Sequence, residues 1–310
     1  MTKPVLLYYE CLNYTEANKQ LLFDAFELYI LTDPRHDEKL SKHASDEIEV
    51  ILLPHGFWFN TFQHERYPKL RVIASNTTSK PETDVDKNGV SVLWLNDKEF
   101  LNTITSTAEH TLALILAVHS RILEAHDYAM REWDRYRLGR PQMLSKQRLT
   151  IIGPGRVGKQ LAKLADNIFL ETYLVDKGTS DENKNGILDK TDVLAICANF
   201  EGDHNIVGRD ELSQLPSDAI VVNTARGELL DTVTLIEMLE HKELRGAGLD
   251  VLPGDHCFPY ERETIDLHTV RSYAQRNDNL ILTPHIAGAT KDAWQSTQKR
   301  IILDILEELK

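Results

Sequence analysis

The chain has 310 residues, 42% hydrophobic and 27% charged, and 35 Lys and Arg against 48 Asp and Glu give a formal net charge of −13 at pH 7. That length buries a sizeable core and suits two domains, while the acidity excludes broad electrostatic adhesion to nucleic acid or to an anionic membrane. No apolar run is of membrane-spanning length, and Cys11, Cys197 and Cys257 are dispersed without metal-ligand spacing, so reduced thiols, a cytoplasmic location and no metal are expected.

In chain order, the start lacks the long apolar region of a secretory signal, and Val5–Tyr9 reads instead as a strand. Thr15 to Tyr29 has apolar residues at Ala17, Leu21, Leu22, Ala25, Phe26 and Leu28 and is expected to be helical. Val50–Leu53, Leu70–Ala74 and Val90–Leu95 are further apolar runs bounded by turn residues. Such alternation implies a parallel α/β sheet. Ligands of these sheets bind beyond the carboxyl ends of strands, so the polar loop after Ala74, with Asn76, Thr77, Thr78 and Lys80, is a candidate for substrate contact. Composition alone equally allows a solvated turn. Ser106 to about Arg131 reads as one long helix, capped by Ser106 or Thr107. It is apolar on nearly every side and is expected to lie buried between domains or subunits. Trp133 to Arg140, basic and aromatic, is expected to be an exposed connector.

From Leu149 to Asp176 the pattern becomes specific. Leu149–Ile152 runs into Gly153-Pro154-Gly155-Arg156-Val157-Gly158, a helical segment follows, and a second apolar run, Tyr173-Leu174-Val175, ends in Asp176. In a Gly-x-Gly-x-x-Gly turn the first glycine permits the tight bend off the strand, the second lets backbone approach a pyrophosphate, and the third lets helix and strand pack closely. The helix N-terminus attracts phosphate through unpaired N–H groups and its dipole. A carboxylate such as Asp176 accepts hydrogen bonds from an adenosine ribose and repels a 2′-phosphate, which points to NAD.

The alternation then resumes. Val193–Cys197 reads as a strand after a helix ended by Gly186, Glu211–Leu215 as a short helix, Ala219–Asn223 as a strand and Thr232–Leu239 as a helix. Gly246–Val251 and Leu280–Thr283 read as the last strands, enough for a doubly wound nucleotide domain. Leu252 to Arg276 is polar without clear periodicity and is expected to be functional or a flap. Thr290–Leu309 closes the chain as an amphipathic helix.

Arg226, Asp255 and His285 follow successive strands, so the strand-end rule brings them to one edge of the sheet. Hydride transfer at a carbon bearing oxygen needs a cation to hold the substrate carboxylate, and Arg226 can do so bidentately. It needs a group that exchanges a proton near neutral pH, which suits His285. It also gains from a carboxylate that orients the imidazole, a task open to Asp255.

The segments Ile151–Gly158, Val222–Asp231, Gly246–Val251 and Leu282–Gly288, with Thr107–Thr111 opening the long helix, resemble the D-isomer-specific 2-hydroxyacid dehydrogenase family, phosphoglycerate dehydrogenase-like. The resemblance implies two doubly wound α/β domains, with a Rossmann NAD-binding domain (residues 105–288) inserted into a flavodoxin-like substrate domain made of residues 1–104 and the C-terminal helix, 289–310. It implies an NAD-dependent oxidoreductase acting on a small anionic 2-oxo or D-2-hydroxy acid, commonly as a homodimer. It assigns Arg226 to the substrate carboxylate and His285 to acid/base work. Asp250 would hold the nicotinamide carboxamide, Arg156 and Val157 would lie over the pyrophosphate, and Thr224 and Gly288 would line the cofactor.

The chain also departs from that family. Relatives normally carry Glu where this chain has Asp255; the shorter side chain is expected to need a loop shift to reach His285, and Glu261, Glu263 and Asp266 are alternative acids. Thr77-Thr78-Ser79 and Pro81-Glu82 stand where relatives often have Thr-Thr-Gly and Asp-His, and Cys197-Ala198-Asn199 stands where a strand end often carries His. Lys80 is suited to a phosphorylated or dicarboxylic substrate. The alternatives are a non-catalytic NAD-sensing scaffold of the same fold, for which Arg226 and His285 would have no use, or an enzyme of phosphite or formate.

Overall fold

Val5–Tyr9 are apolar without interruption and every one is buried, as in a strand covered on both faces of a parallel sheet. The computed structural model describes residues 2–85, 89–200, 202, 205–255 and 265–310. Cys257, Glu261 and Glu263, and the side chain of Asp266, lie outside the described residues. The chain divides into two compact units, one including Met1–Ile104 and Ala289–Lys310, the other Thr105–Asp255 and Glu263–Gly288.

In the first unit, strands β1 (Val5–Tyr9), β2 (Glu27–Leu31), β3 (Val50–Leu52), β4 (Val72–Ser75) and β5 (Ser91–Trp94) form a parallel sheet in the order β2-β1-β3-β4-β5. This is the flavodoxin-like winding. Helices α1 (Glu16–Ala25), α2 (Lys42–Glu47), α3 (Thr61–His64) and α4 (Lys98–Asn102) lie between strands or follow the last. The C-terminal helix buries Ile301, Ile302 and Ile305 against Leu6, Tyr8, Tyr14 and Leu22. Each such isoleucine contributes about 1.5–3 kcal/mol relative to exposure.

The helix expected over Thr15–Tyr29 is shorter than its apolar spacing suggests. It ends at Ala25, Phe26 turns extended at φ −127°, and Glu27 N bonds to Pro4 O to begin a strand paired along β1. Cross-strand pairing outweighs local helical spacing there.

In the second unit, β6 (Arg148–Ile152), β7 (Glu171–Val175), β8 (Val193–Ile196), β9 (Ile220–Asn223), β10 (Gly246–Leu249) and β11 (Leu280–Leu282) form a six-stranded parallel sheet in the order β11-β10-β9-β8-β6-β7. Around it run α5 (Ser106–His119), α6 (Ile122–Ala129), α7 (Arg156–Ala165), α8 (Asp181–Leu188), α9 (Arg209–Leu212), α10 (Thr232–Glu240) and α11 (Ile265–Ala274); the C-terminal helix of the first unit is α12 (Lys291–Glu308). The winding reverses between β6 and β8, the switch point where ligands of such sheets bind. The standard dinucleotide order carries a further strand outside the second. Among the described residues none flanks β7, because α8 leads directly to β8.

Several expectations are corrected here. The single helix over Ser106–Arg131 is two, α5 and α6, because Arg121 takes a left-handed φ of 54° and its guanidinium holds the Glu124 carboxylate through two hydrogen bonds. Helix α5 begins after Thr105, which makes no side-chain cap bond, so neither Ser106 nor Thr107 is the N-cap. It buries Ala108, Leu114, Ile115 and Val118 on its own sheet, against Leu149, Ile151 and Val222. Gly186 lies inside α8 rather than ending it. The polar stretch 252–276 contains α11, anchored by Val270 and Tyr273 at 1% and 2% exposure. Trp133–Gly139 is exposed apart from the half-buried Leu138, with Arg135 stacked 5.0 Å from the Tyr136 ring centre. No helix among the described residues is long and apolar enough to cross a membrane.

Candidate active site

The glycine turn sits between β6 and α7. Gly153 has φ +87°, and a Cβ there would lie 2.3 Å from the Ala198 backbone. A Cβ on Gly158 would come 2.4 Å from Gly153 O. Both positions therefore exclude side chains, and the small Ala198 of the departing Cys197-Ala198-Asn199 segment is what packs there. Gly155 differs: a Cβ on it would meet nothing within 4 Å. The space before the helix N-terminus is open, and the first N–H groups of α7 have no intrahelical partners. This is how a pyrophosphate is held, with Arg156 and Val157, both half-buried, opening the helix. Asp176 follows β7 and is exposed. Its Oδ1 accepts from Gly178 N at 2.9 Å and the Thr179 hydroxyl at 3.2 Å, fixing the carboxylate at the strand end. The residues present fit a dinucleotide.

Beyond β9, β10 and β11 the second unit gathers Arg226, Asp255 and His285. After β9, the Asn223 side chain closes a turn, accepting from Ala225 N at 3.0 Å and donating to Arg226 O at 2.9 Å. Arg226 is half-buried and donates from Nη1 to Ala225 O at 2.8 Å. Burial draws its guanidinium below the ordinary value, opposed by the carboxylates of Asp255 and Glu228. Gly227 permits the next contact, because a Cβ there would lie 1.9 Å from the Leu252 carbonyl carbon.

After β10, Leu252-Pro253-Gly254-Asp255 makes a tight turn. Asp255 N donates to Leu252 O at 3.1 Å and Gly254 has φ +77°, the pattern in which proline and then glycine fill the central positions. Glu228 Oε1 accepts from Gly254 N at 2.8 Å. The turn folds Asp255 back so that Oδ2 accepts from Leu252 N at 3.1 Å and lies 3.2 Å from His285 Nδ1. The shorter acid thus reaches the imidazole directly, and the tight turn supplies the reach expected to require a shift.

After β11, His285 adopts φ +52°, an uncommon conformation for a non-glycine residue. Asp250 holds it there. Asp250 O accepts from His285 N at 2.8 Å, Oδ1 accepts from the Thr283 hydroxyl at 2.5 Å and Ile286 N at 2.9 Å, and Oδ2 accepts from Ala287 N at 2.9 Å. The side chain is 1% exposed.

Helix α5 reaches the same strand ends. His110 Nε2 lies 3.0 Å from Thr283 Oγ1 and 3.5 Å from Asp250 Oδ1. The Thr111 hydroxyl donates to Thr107 O at 2.7 Å, so in its 2.6 Å contact with Thr224 it accepts and Thr224 donates. Gly288, exposed, has its Cβ position 3.9 Å from Thr107 Oγ1.

Sequence reasoning passed over His110, Thr283, Gly227 and Glu228 as separate contributors. Their only signal was membership of quoted motifs, since each acts on a partner distant in sequence. Asn76, Thr77, Thr78 and Lys80 belong to the first unit, after β4. There Thr77 Oγ1 donates to Ser79 O at 3.0 Å, Leu95 N donates to Thr77 O at 2.9 Å, and Lys80 Nζ stands 5.8 Å from the Trp94 ring centre. Of the cysteines, Cys197 is buried and its thiol is pushed up to about 12. Among the described residues no cluster of His, Cys, Asp or Glu could hold a metal ion.

Residues 112–287 match the family described as D-isomer specific 2-hydroxyacid dehydrogenase, NAD binding domain. The chain is 27% identical over 260 residues to the glyoxylate reductase of Thermococcus litoralis, covering 78% of this chain and 75% of that protein. It is 28% identical over 293 residues to the D-3-phosphoglycerate dehydrogenase of Methanocaldococcus jannaschii, covering 89% of this chain and 52% of that longer protein. Its fold resembles D-lactate dehydrogenase of Aquifex aeolicus, crystallised with NAD and lactic acid, with a TM-score of 0.78 at 20% identity over 98% of this chain and 95% of the other.

Proposed function

The chain belongs to the D-isomer specific 2-hydroxyacid dehydrogenase family, and from this premise we propose that it interconverts a small 2-oxo acid and the matching D-2-hydroxy acid, with His285 as acid/base and Arg226 as carboxylate anchor. Residues 112–287 are the family's NAD binding domain, so the cofactor is NAD. When bound, NAD gives or takes the hydride at its nicotinamide ring. Arg226 grips the substrate carboxylate through paired N–H donors, a geometry suited to a planar guanidinium. Asp255 holds Nδ1 of His285, which leaves Nε2 to pass a proton to or from the substrate oxygen. The N-terminus of α7, with Arg156 and Val157, takes the pyrophosphate, and Asp176 takes the ribose hydroxyls. Thr224 and Gly288 line the cofactor. Asp250 would hold the nicotinamide carboxamide, and its nearly buried carboxylate also organises the loop by accepting from Thr283, Ile286 and Ala287. Asn76, Thr77, Thr78 and Lys80 read the remainder of the acid.

The observation that carries the proposal is the Asp255 carboxylate, which lies 3.2 Å from the His285 imidazole and acts electrostatically on Arg226. Oxidation of NADH with glyoxylate, hydroxypyruvate, 2-oxoglutarate and phosphohydroxypyruvate tests it. Turnover of at least one is expected; tight NADH binding with no turnover of any would defeat it and favour the scaffold. We further propose a cytoplasmic homodimer. Trp133 at 92% exposure, Met130 at 68% and Met143 at 64% support the dimer, and sedimentation equilibrium checks it.

A further inference from the structure

Resting on His285 as the acid/base of the proposed reaction, the geometry points to His110 as a positioning residue for it, acting as an obligate Nε2–H donor through Thr283 and Asp250. His285 sits in a loop whose backbone would not hold φ +52° unaided. Three consecutive amides of that loop, those of His285, Ile286 and Ala287, donate to Asp250, the first to its carbonyl and the others to its carboxylate. The position of the Asp250 carboxylate therefore sets the conformation of His285.

The proton count then fixes the role of His110. A threonine hydroxyl has one proton. That of Thr283 goes to Asp250 Oδ1 at 2.5 Å, since an ionised carboxylate only accepts. The 3.0 Å contact between Thr283 Oγ1 and His110 Nε2 must therefore run from the ring to the hydroxyl, so Nε2 carries a proton. The same Nε2 is 3.5 Å from Asp250 Oδ1, where an N–H is attractive and a lone pair is not. A chain of donors results: His110 Nε2–H to Thr283, Thr283 O–H to Asp250, and Asp250 to the backbone of the His285 loop. Nε2–H is present in both the neutral Nε2 tautomer and the imidazolium, so the brace does not depend on the charge of the ring. His110 stands on the rigid helix α5, which buries Leu114 and Ile115 against the sheet, and this ties the loop to the sheet face. His110 acts on His285 through Thr283 and Asp250.

The test compares the full-length protein with His110→Ala, His110→Gln and Thr283→Val. Gln places an N–H close to the position of Nε2. Amide exchange followed by NMR reads the loop directly and needs no turnover. In His110→Ala, Ile286 and Ala287 should exchange about tenfold faster, as expected for losing one hydrogen bond to a charged relay, and His110→Gln should return to within about threefold of the parent on the same scale. ¹⁵N shifts of the histidine rings should show Nε2 of His110 protonated throughout the titration. In turnover, kcat should fall in His110→Ala with NADH affinity unchanged, and His110→Ala with Thr283→Val should lose no more than either alone, since both cut one chain. Equal impairment of Ala and Gln, unchanged amide protection, a deprotonated Nε2 or multiplying losses would each overturn the inference. If His110→Ala does not fold, Thr283→Val and His110→Gln carry the same comparison. Correct amide protection with no turnover of any 2-oxo acid leaves the brace standing and removes the proposed reaction; turnover that His110→Ala does not alter removes the brace alone.

Discussion

The loops after β11 and after β4 both leave the carboxyl end of a parallel strand, but they are held in different ways. The first is organised by a buried carboxylate contributed by another strand, which collects three donors at 2.5–2.9 Å and holds His285 in a left-handed conformation. In the second, the Thr77 hydroxyl bonds two residues onward, Thr77 O accepts from Leu95 N, and Thr78 and Lys80 are exposed. A proton-transfer group must be held to a fraction of an ångström. Recognition of a variable substrate tail tolerates looser attachment and change of residue type. The difference teaches that the proposed proton-transfer loop is tied down by hydrogen bonds from a distant strand end, a constraint the proposed recognition loop does not need.

Substitutions should separate the two loops steeply. The largest effect belongs to Asp250→Ala, which orphans the Ile286 and Ala287 amides; we expect a stability loss of about 3–5 kcal/mol, at roughly 1–3 per unsatisfied buried group, read as a lowered urea midpoint. A loss below 1 kcal/mol would erase the contrast between the loops. Arg226→Ala should lower kcat/KM by about 3 kcal/mol of transition-state stabilisation while NADH binding, followed by fluorescence, stays within a factor of two or so; an unchanged rate refutes its assigned role. Gly227→Ala drives a Cβ to 1.9 Å from Leu252, so the Asp255 turn must move. We expect about 1–3 kcal/mol of destabilisation together with reduced kcat.

For the looser loop, Lys80→Met should change kcat/KM by no more than about tenfold, and only for acids with a second negative charge, as for a single exposed ion pair. A large loss for every substrate would place Lys80 with the chemistry instead. The smallest effect concerns pH in the first unit. The hydrogen-bonded Arg35 guanidinium holds the Asp33 carboxyl down at about 2. Lowered in the fold, it stabilises above its ordinary value near 4, and the contribution is lost as pH falls towards 2. The melting difference between the parent and Asp33→Asn should be greatest above pH 4, shrink as pH falls through 2, and vanish only below it.

The central strands were legible because parallel sheets covered on both faces require unbroken apolar runs such as Val5–Tyr9 and Ile220–Asn223, which are buried throughout. The glycine turn was legible because its constraint is local: Gly153 and Gly158 press on atoms of their own strand–turn–helix unit or of the adjoining strand end, while Gly155 faces open space. Strand β2 was not, since an edge strand with the half-exposed sequence Glu-Leu-Tyr-Ile-Leu matches helical spacing equally well. Nor was the break at Arg121, where a residue of ordinary helical propensity turns left-handed.

Residue types and their order thus determined two parallel α/β sheets, a dinucleotide turn and the candidates Arg226, Asp255 and His285, because periodicity, glycine sterics and strand-end placement act over a few residues at a time. Only the folded chain decided that Asp255 reaches the imidazole, that Asp250 serves the loop of His285, and that His110 meets Thr283 across 173 positions of sequence. Hydrogen bonds between distant segments leave no periodic trace; they depend on where independent strand ends come to rest, and that is set by packing.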